Sequence, residues 1–289
     1  MIQRSFIPGS SWLFFKLYTG NKTADNILVQ ELWDFSKTLY SQNIIDKYFF
    51  IRYNDPDFHI RYRIHLLEPF HYSEVFRSFY AIMYPKITNG QISKIQCDTY
   101  VREIERYGDA TINLIEELFW IDSLSIIQLL TNLFSEPITI REQTRWLLAL
   151  ILLDDTYDAF DYTLSEKEKL TSSIANSFKR EFNFTDHIFT KQINDKYRIY
   201  FNTIDAKLSN RDGLIPYEPI LKNRVKYFAN IACKIKSIKN NIGPISLDDL
   251  LFSIQHMTMN RWFRSRNRNH ELVIYSFLQK YYSSQMIRK

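Results

Sequence analysis

Glycine and proline are scarce in this 289-residue chain, at 6 and 8, which excludes long flexible linkers, low-complexity tracts and a disordered arm. Cysteine is scarcer still. Cys97 and Cys233 lie far apart without metal-ligand spacing, so a disulfide framework and a zinc site are excluded and two buried thiols in a reducing compartment are expected. Long hydrophobic runs are missing too. The run WLFF near the start is too short for a signal peptide and meets Lys16 at once, and the run from Trp146 to Leu153 is too short to span a bilayer. No membrane span is expected, and a cytoplasmic location is. There is no Gly-rich phosphate loop, no GxSxG elbow and no CxxC pair. His71, His187 and His270 stand apart from other ligand-type residues, so no metal and no other cofactor is expected.

What the chain does have is an ordinary globular balance, 45% hydrophobic and 24% charged, with aromatics abundant at 16%. Its length supports a large core, and no internal repeat or linker divides it, so one folded domain over residues 1–289 is expected. Strand signals come first, at Ser11–Tyr18, Lys47–Tyr53, Phe58–Leu67 and Ile92–Tyr100, with helices at Ala24–Ser41 and Ser73–Met83. After Gly108 helical periodicity takes over: Thr111–Phe134, Ile140–Asp155, Ser165–Phe182, Asp186–Leu208, Tyr217–Ile238, Ser246–Phe263 and Glu271–Tyr282. Stop signals lie at Pro137, Asp212-Gly213 with Pro216, and Gly243-Pro244. The fold class is α+β, an N-terminal, mainly antiparallel sheet with helices followed by a predominantly helical C-terminal half.

The richest stretch is FFIRYNDPDFHIRYRI, residues 49–64. Phe49, Ile51 and Tyr53 alternate with Arg52. After the turn Asn54–Asp57, Ile60, Tyr62 and Ile64 alternate with His59, Arg61, Arg63 and His65, so the second strand carries an apolar face and a cationic one. Guanidiniums two residues apart on a strand sit roughly 7 Å from each other and suit a ligand with more than one carboxylate or phosphate. An edge strand guarded by positive charge is the plainer account.

In TYVREIERYG, residues 99–108, the spacings of Arg102, Glu103, Glu105 and Arg106 give either a solvated, mutually neutralised helical turn or an Arg106 held by Glu103 to face a ligand. In SLDDLLFSIQHMTMNRWF, residues 246–263, Ser246 and Asp249 open a helix. Its core stripe is Leu247, Leu250, Leu251, Ile254 and Thr258. His256 lies off that stripe, one turn from Asn260, either as a packed partner or as an acid–base group oriented by Asn260. Net charge is +5, and residues 261–289 carry seven basic residues against Glu271 alone. No aromatic-interleaved recognition motif accompanies them, so Arg261–Arg268 reads as a surface for an acidic peptide or protein partner and not for nucleic acid.

RSFIPGSSWLFFKLY, FFIRYNDPDFHIRYRI, CDTYVREIERYG, the triplet IDS at 121–123 and SIQHMTMNRWF together resemble, in order and spacing, the C-terminal elimination domain of lantibiotic dehydratases. That family includes free-standing thiopeptide-type bacteriocin biosynthesis proteins. The resemblance runs from about residue 4 to 263. It implies elimination of glutamate from glutamylated Ser or Thr of a precursor peptide, leaving dehydroalanine or dehydrobutyrine. By resemblance the HxRxR pair is Arg61 and Arg63, the ExxR element is Glu103 and Arg106, and the C-terminal helix histidine is His256. Asp109 stands where the family often has a second glycine.

On this reading His256, Arg61 and Arg106 carry the catalysis, while Arg63, Glu103, Arg52 and Asn260 bind substrate. The partners expected are the glutamylated precursor peptide and a separate glutamylating dehydratase subunit, the chain being short for a tRNA-dependent glutamylation region. A homo-oligomer is compatible with this. Two alternatives stand beside it: a [4+2] pyridine synthase of thiopeptide biosynthesis, and a non-catalytic subunit that binds the precursor peptide.

Overall fold

The computed structural model describes residues 2–184, 187–238 and 245–288. The Gly243-Pro244 break and the helix start at Asp186 lie outside the described residues. Two compact units are formed, Met1–Thr131 with Lys234–Ser265, and Asn132–Cys233 with Arg266–Lys289.

In the first unit, β1 (Ser5–Phe6) and β2 (Trp12–Thr19) lead into α1 (Asn21–Asn26), a π-helical turn at Ile27–Leu32 and α2 (Trp33–Ser41). The hairpin β3 (Ile45–Asn54) and β4 (Phe58–Leu66) follows, then α3 (Tyr72–Thr88), β5 (Ile92–Cys97), β6 (Tyr100–Val101), α4 (Ile104–Tyr107) and α5 (Ile112–Ser135). β2 to β5 form an antiparallel sheet in the order β3-β4-β2-β5, and β6 leaves it to pair with β1. The expected strand over Ile92–Tyr100 is therefore two strands in two ladders. Helix α3 passes Pro85 and ends at Thr88, beyond the expected end at Met83.

β4 is an interior strand, so edge protection does not explain its arginines. The register pairs Phe14 and Phe49 with Arg63, Lys16 and Ile51 with Arg61, and Tyr18 and Tyr53 with His59. Directly paired residues share a face, which gives the sheet two contrasting sides. One carries Phe15, Leu17, Phe50, Ile60, Tyr62, Ile64 and Arg52. Phe15 stacks on Phe79 of α3 with ring centroids 4.0 Å apart, and Ser36 of α2 shares a 2.6 Å hydrogen bond with Tyr62. Tyr62, Ile60 and Ile64 are fully buried here, each such side chain stabilising the fold by about 1.5–3 kcal/mol. The other side carries the cations.

The edge of β3 is closed by side chains, not by another strand. The Phe50 N–H donates to Ser123 Oγ of α5 at 3.2 Å. On α10 (Leu247–Trp262), Asn260 accepts from the Arg52 N–H at 2.8 Å and donates to the Arg52 carbonyl at 2.7 Å, and Arg261 Nε donates to the Phe50 carbonyl at 2.9 Å. The amide of Asn260 mimics one residue of a neighbouring strand, satisfying an edge whose backbone groups would otherwise be unpaired and buried.

The second unit is helical: α6 (Ile138–Ala159), α7 (Leu164–Glu181), α8 (His187–Ser209), α9 (Glu218–Ser237, beginning in this unit) and α11 (Asn267–Arg288). Thr163 and Glu166 make a reciprocal cap at the start of α7. Asp154, Asp155 and Asp158 gather their carboxylates and are bonded by the cations Lys167, at 2.7 Å to Asp154 and 2.6 Å to Asp158, and Arg211, on Asp155. Helix α5 is long and apolar enough to cross a membrane by length and composition, but 61% of its most apolar window is buried within the fold. Neither cysteine is buried: Cys97 is half-buried and Cys233 exposed, and both are free thiols.

Candidate functional site

The cationic face of β4 is built around a buried arginine, Arg63. Arg63 is 8% exposed, its guanidinium lies over the rings of Phe14, Tyr100 and Phe49 at 4.4, 4.9 and 5.2 Å, and its Nε has no hydrogen-bond partner. Among the described residues no carboxylate ion-pairs with it. Burial pushes its ordinarily very high pKa down to about 10, which leaves it a cation at neutral pH. A buried, unpaired charge is costly. Aromatic faces offset part of that cost, and the remainder is an unmet demand for an anion.

Arg61, two residues earlier on the same face, is fixed by a chain of contacts. Its guanidinium lies 3.4 Å over the Tyr53 ring, and its Nε donates to His59 Nε2 at 3.2 Å. For His59 to accept there, its proton must sit on Nδ1, which is 2.8 Å from the Asp57 carbonyl. Burial depresses the His59 pKa, the carbonyl contact works the other way, and Arg61 and Lys16 depress it further. His59 is therefore neutral and holds Arg61 as an acceptor. Lys16, paired across from Arg61 in the sheet, is neutralised by Asp98, so of these two cations Arg61 is the one left to act.

Glu103 caps the start of the short helix α4 and Arg106 lies within it, with Arg106 Nη1 3.5 Å from Glu103 Oε2. The helix ends at Gly108, whose φ of +78° is a conformation that a side chain would strain. Asp109 has no such φ; its carboxylate accepts from the Ala110 N–H at 2.8 Å, so the turn needs no second glycine. Arg106 Nε donates to Ser253 Oγ of α10 at 3.2 Å. Ser253 lies one turn before His256, which is half-buried with its ring 6.4 Å from that of Phe252. A cavity of about 30 Å³ counts Arg63, Glu103, Tyr107 and Met257 among its lining, which is room for one or two water molecules. Arg61, Arg63, Glu103, Arg106 and helix α10 with His256 are thus gathered on one side of the sheet.

Two expected site residues are placed elsewhere. Arg52 lies on the opposite face, 3% exposed, with Nη2 2.6 Å from Asp25 and Nε donating to the Arg261 carbonyl. Asn260 spends both ends of its amide on the Arg52 backbone. Arg102 does not join a network with Glu105 and Arg106: it forms a two-pronged pair with Glu116 of α5 at 2.7 and 2.6 Å, an acid that also accepts from Tyr100. Three of the four arginines of the expected basic surface at Arg261–Arg268 are paired with acids of this chain, while Arg266 is exposed. Arg261 is fully buried against Asp122, Arg264 bonds Asp25 at 2.6 Å, and Arg268 pairs with Glu181.

Sequence reading missed the supporting groups Asp122, Ser123, Ser253, Glu116 and Asp25. The segments IDS, which contains Asp122 and Ser123, and SIQHMTMNRWF, which begins at Ser253, offered a signal; Glu116 and Asp25 had none.

The family model for the C-terminal part of lantibiotic biosynthesis dehydratases matches residues 12–282. The chain belongs to the lantibiotic dehydratase C-terminal family. Lantibiotic biosynthesis proteins are its relatives in sequence. It is 27% identical to the nisin biosynthesis protein NisB of Lactococcus lactis subsp. lactis over 99% of this chain and 27% of that one. It is also 27% identical to the subtilin biosynthesis protein SpaB of Bacillus subtilis, over 89% of this chain and 24% of that one. This member of the family thus spans about a quarter of the length of the curated relatives it matches. Its fold is shared with the tRNA-dependent lantibiotic dehydratase MibB from Microbispora sp. 107891, at TM-score 0.74, 18% identity and coverage of 100% of this chain and 29% of that one. It is also shared with the pyridine synthase TbtD from thiomuracin biosynthesis, at TM-score 0.71, 10% identity and coverage of 97% and 100%.

Proposed function

We propose that the chain removes glutamate from glutamylated Ser or Thr residues of a ribosomally made precursor peptide, in the cytoplasm, on a substrate glutamylated by a separate protein. The observation that carries this reading is Arg63, a buried cation that ion-pairs with no carboxylate among the described residues, beside a braced Arg61 and the Arg106–Glu103 pair.

In the step itself the Cα–H bond breaks and its electron pair becomes the Cα=Cβ bond. The Cβ–O bond breaks at the same time, and its own electron pair leaves on the glutamate carboxylate. A free α-carboxyl is acidic, at about pKa 3.3–3.7, so the leaving group departs as an anion without an acid's help and the demanding transfer is removal of the Cα proton. His256 is assigned as the base for that transfer. Arg63 and Arg61 meet the free side-chain carboxylate of the glutamyl group and the carboxylate that forms as its ester leaves, and Arg106 meets charge developing on the peptide carbonyl.

Incubating the protein with a glutamylated Ser peptide and following mass is the direct test. The expected product is the dehydroalanine peptide with free glutamate, and an unchanged peptide refutes the reading. His256→Ala is expected to slow elimination roughly 10²–10⁴-fold with little change in peptide affinity. The full-length match in fold to TbtD supports one rival, a pyridine-forming cycloaddition. A peptide carrying two dehydroalanines is the substrate that would reveal it.

A further inference from the structure

On the face of the sheet turned away from the cations, α3 and β5 enclose a groove of about 310 Å³, lined by Phe76, Tyr80, Met83 and Tyr84 of α3 and by Ile95 and Cys97 of β5. The α3 side is an exposed aromatic stripe: Tyr80 and Tyr84 are 59% and 51% exposed, and Phe76 and Ile87 extend it at helical spacing. β5 is the open edge of the sheet, and among the described residues it ladders only with β2. The Asp98 N–H donates to the Phe14 carbonyl at 2.9 Å. In an antiparallel ladder backbone direction alternates, so Ile95 and Cys97 turn their N–H and C=O groups to the open edge while their side chains line the groove.

We propose that this edge and groove dock an extended peptide as a fifth strand of the sheet, with alternate apolar side chains under α3 and acidic ones on the other face. Free backbone groups at strand spacing call for an extended chain and not for a helix or a small molecule. β5 has six residues, about 20 Å of strand, and the groove accepts every second side chain of a partner that long. The intervening side chains emerge beside Gln96 and Lys94, which pair in register with Lys16 and Tyr18 on the cationic face. Lys94 lies over the Tyr18 ring at 4.2 Å and has no acid partner among the described residues, hence acidic residues at those positions. A second copy of this chain is a poorer occupant, because antiparallel pairing of two β5 strands gathers both Lys94 side chains on one face. On the elimination reading, on which this assignment rests, the docked strand is a segment of the peptide substrate away from the residue being modified, about three strand spacings or 14 Å from Arg61.

The test selects a short random peptide library against the immobilised protein and measures the enriched peptides, made synthetically, against the parent, Tyr80→Asp and Tyr84→Asp. Enriched sequences are expected to alternate apolar and acidic residues and to bind either variant at least about tenfold more weakly, a loss of about 1.4 kcal/mol. N-methylation at alternate residues is expected to abolish binding in one parity and leave it intact in the other, because only one set of N–H groups faces β5. Peptides that bind Tyr80→Asp as tightly as the parent, peptides indifferent to methylation parity, or a library that enriches nothing overturn the proposal. So does a dimer of the parent in light scattering that both Asp variants dissolve, since a second copy then occupies the edge. Elimination from a glutamylated Ser peptide too short to reach the groove is measured alongside. If the parent lacks that activity the elimination reading fails, while the binding result stands or falls on its own.

Discussion

Arg63 concentrates the conflict between stability and function into one side chain. Its charge is 8% exposed, rests on three aromatic rings and, among the described residues, ion-pairs with no carboxylate. Exchange for an unbranched apolar residue removes the desolvation cost while filling much the same space. Arg63→Met is therefore expected to raise unfolding free energy by roughly 1–3 kcal/mol and to abolish elimination; urea melts and turnover on a glutamylated peptide measure the two. A variant that loses stability along with activity would mean that Arg63 is paired in the working protein. His59 gives a second prediction. Its folded pKa is depressed, chiefly by burial, so above the unfolded value of about 6.5 the imidazole is neutral in both states and its contribution to stability is fully present. As pH falls below about 6.5 the unfolded chain takes a proton that the folded one resists, and stability falls. Denaturant midpoints measured from pH 7.5 to 5 are expected to decline for the parent and to decline less for His59→Gln.

Among the elements, α10 shows how the site is held and why only part of it is legible in sequence. The helix, its serine cap and the off-stripe position of His256 follow from periodicity and capping chemistry alone. That Asn260 closes the edge of β3 does not, because its partner is the backbone of Arg52, 208 residues away, and backbone groups leave no trace in side-chain spacing. Asn260→Ala leaves an N–H and a C=O of Arg52 without partners, at about 1–3 kcal/mol, and frees the end of the helix that carries His256. Thermal unfolding is expected to drop accordingly and kcat to fall more than peptide affinity. The alternation of β4 was legible for the same reason that its arginines were: a period of two is written in one strand. The burial of Arg63 was not, since it depends on β2, β3 and β6 supplying Phe14, Phe49 and Tyr100. The basic run Arg261–Arg268 predicted surface charge poorly because Asp122, Asp25 and Glu181, remote in sequence, neutralise Arg261, Arg264 and Arg268.

For the molecule as a whole, the chain covers only about a quarter of NisB and SpaB, while the residues gathered on its cationic face suit a single chemical step. Attaching glutamate to a hydroxyl from an aminoacyl donor needs a nucleic-acid surface and an acyl-transfer site. In the basic stretch Arg261–Arg268, which does not read as a nucleic-acid surface, Arg261, Arg264 and Arg268 pair with Asp122, Asp25 and Glu181. Removing glutamate needs neither, since the ester is already activated and the leaving group departs as an anion. With a chemically glutamylated Ser peptide as substrate, turnover is therefore expected to proceed without tRNA, ATP or a second protein and to be unaffected by ribonuclease. Moderate salt is expected to weaken it little, because the charges assigned to the glutamyl group are buried or half-buried and poorly screened. Turnover that vanished with ribonuclease would place an RNA inside the elimination step and refute the division of labour proposed for this chain.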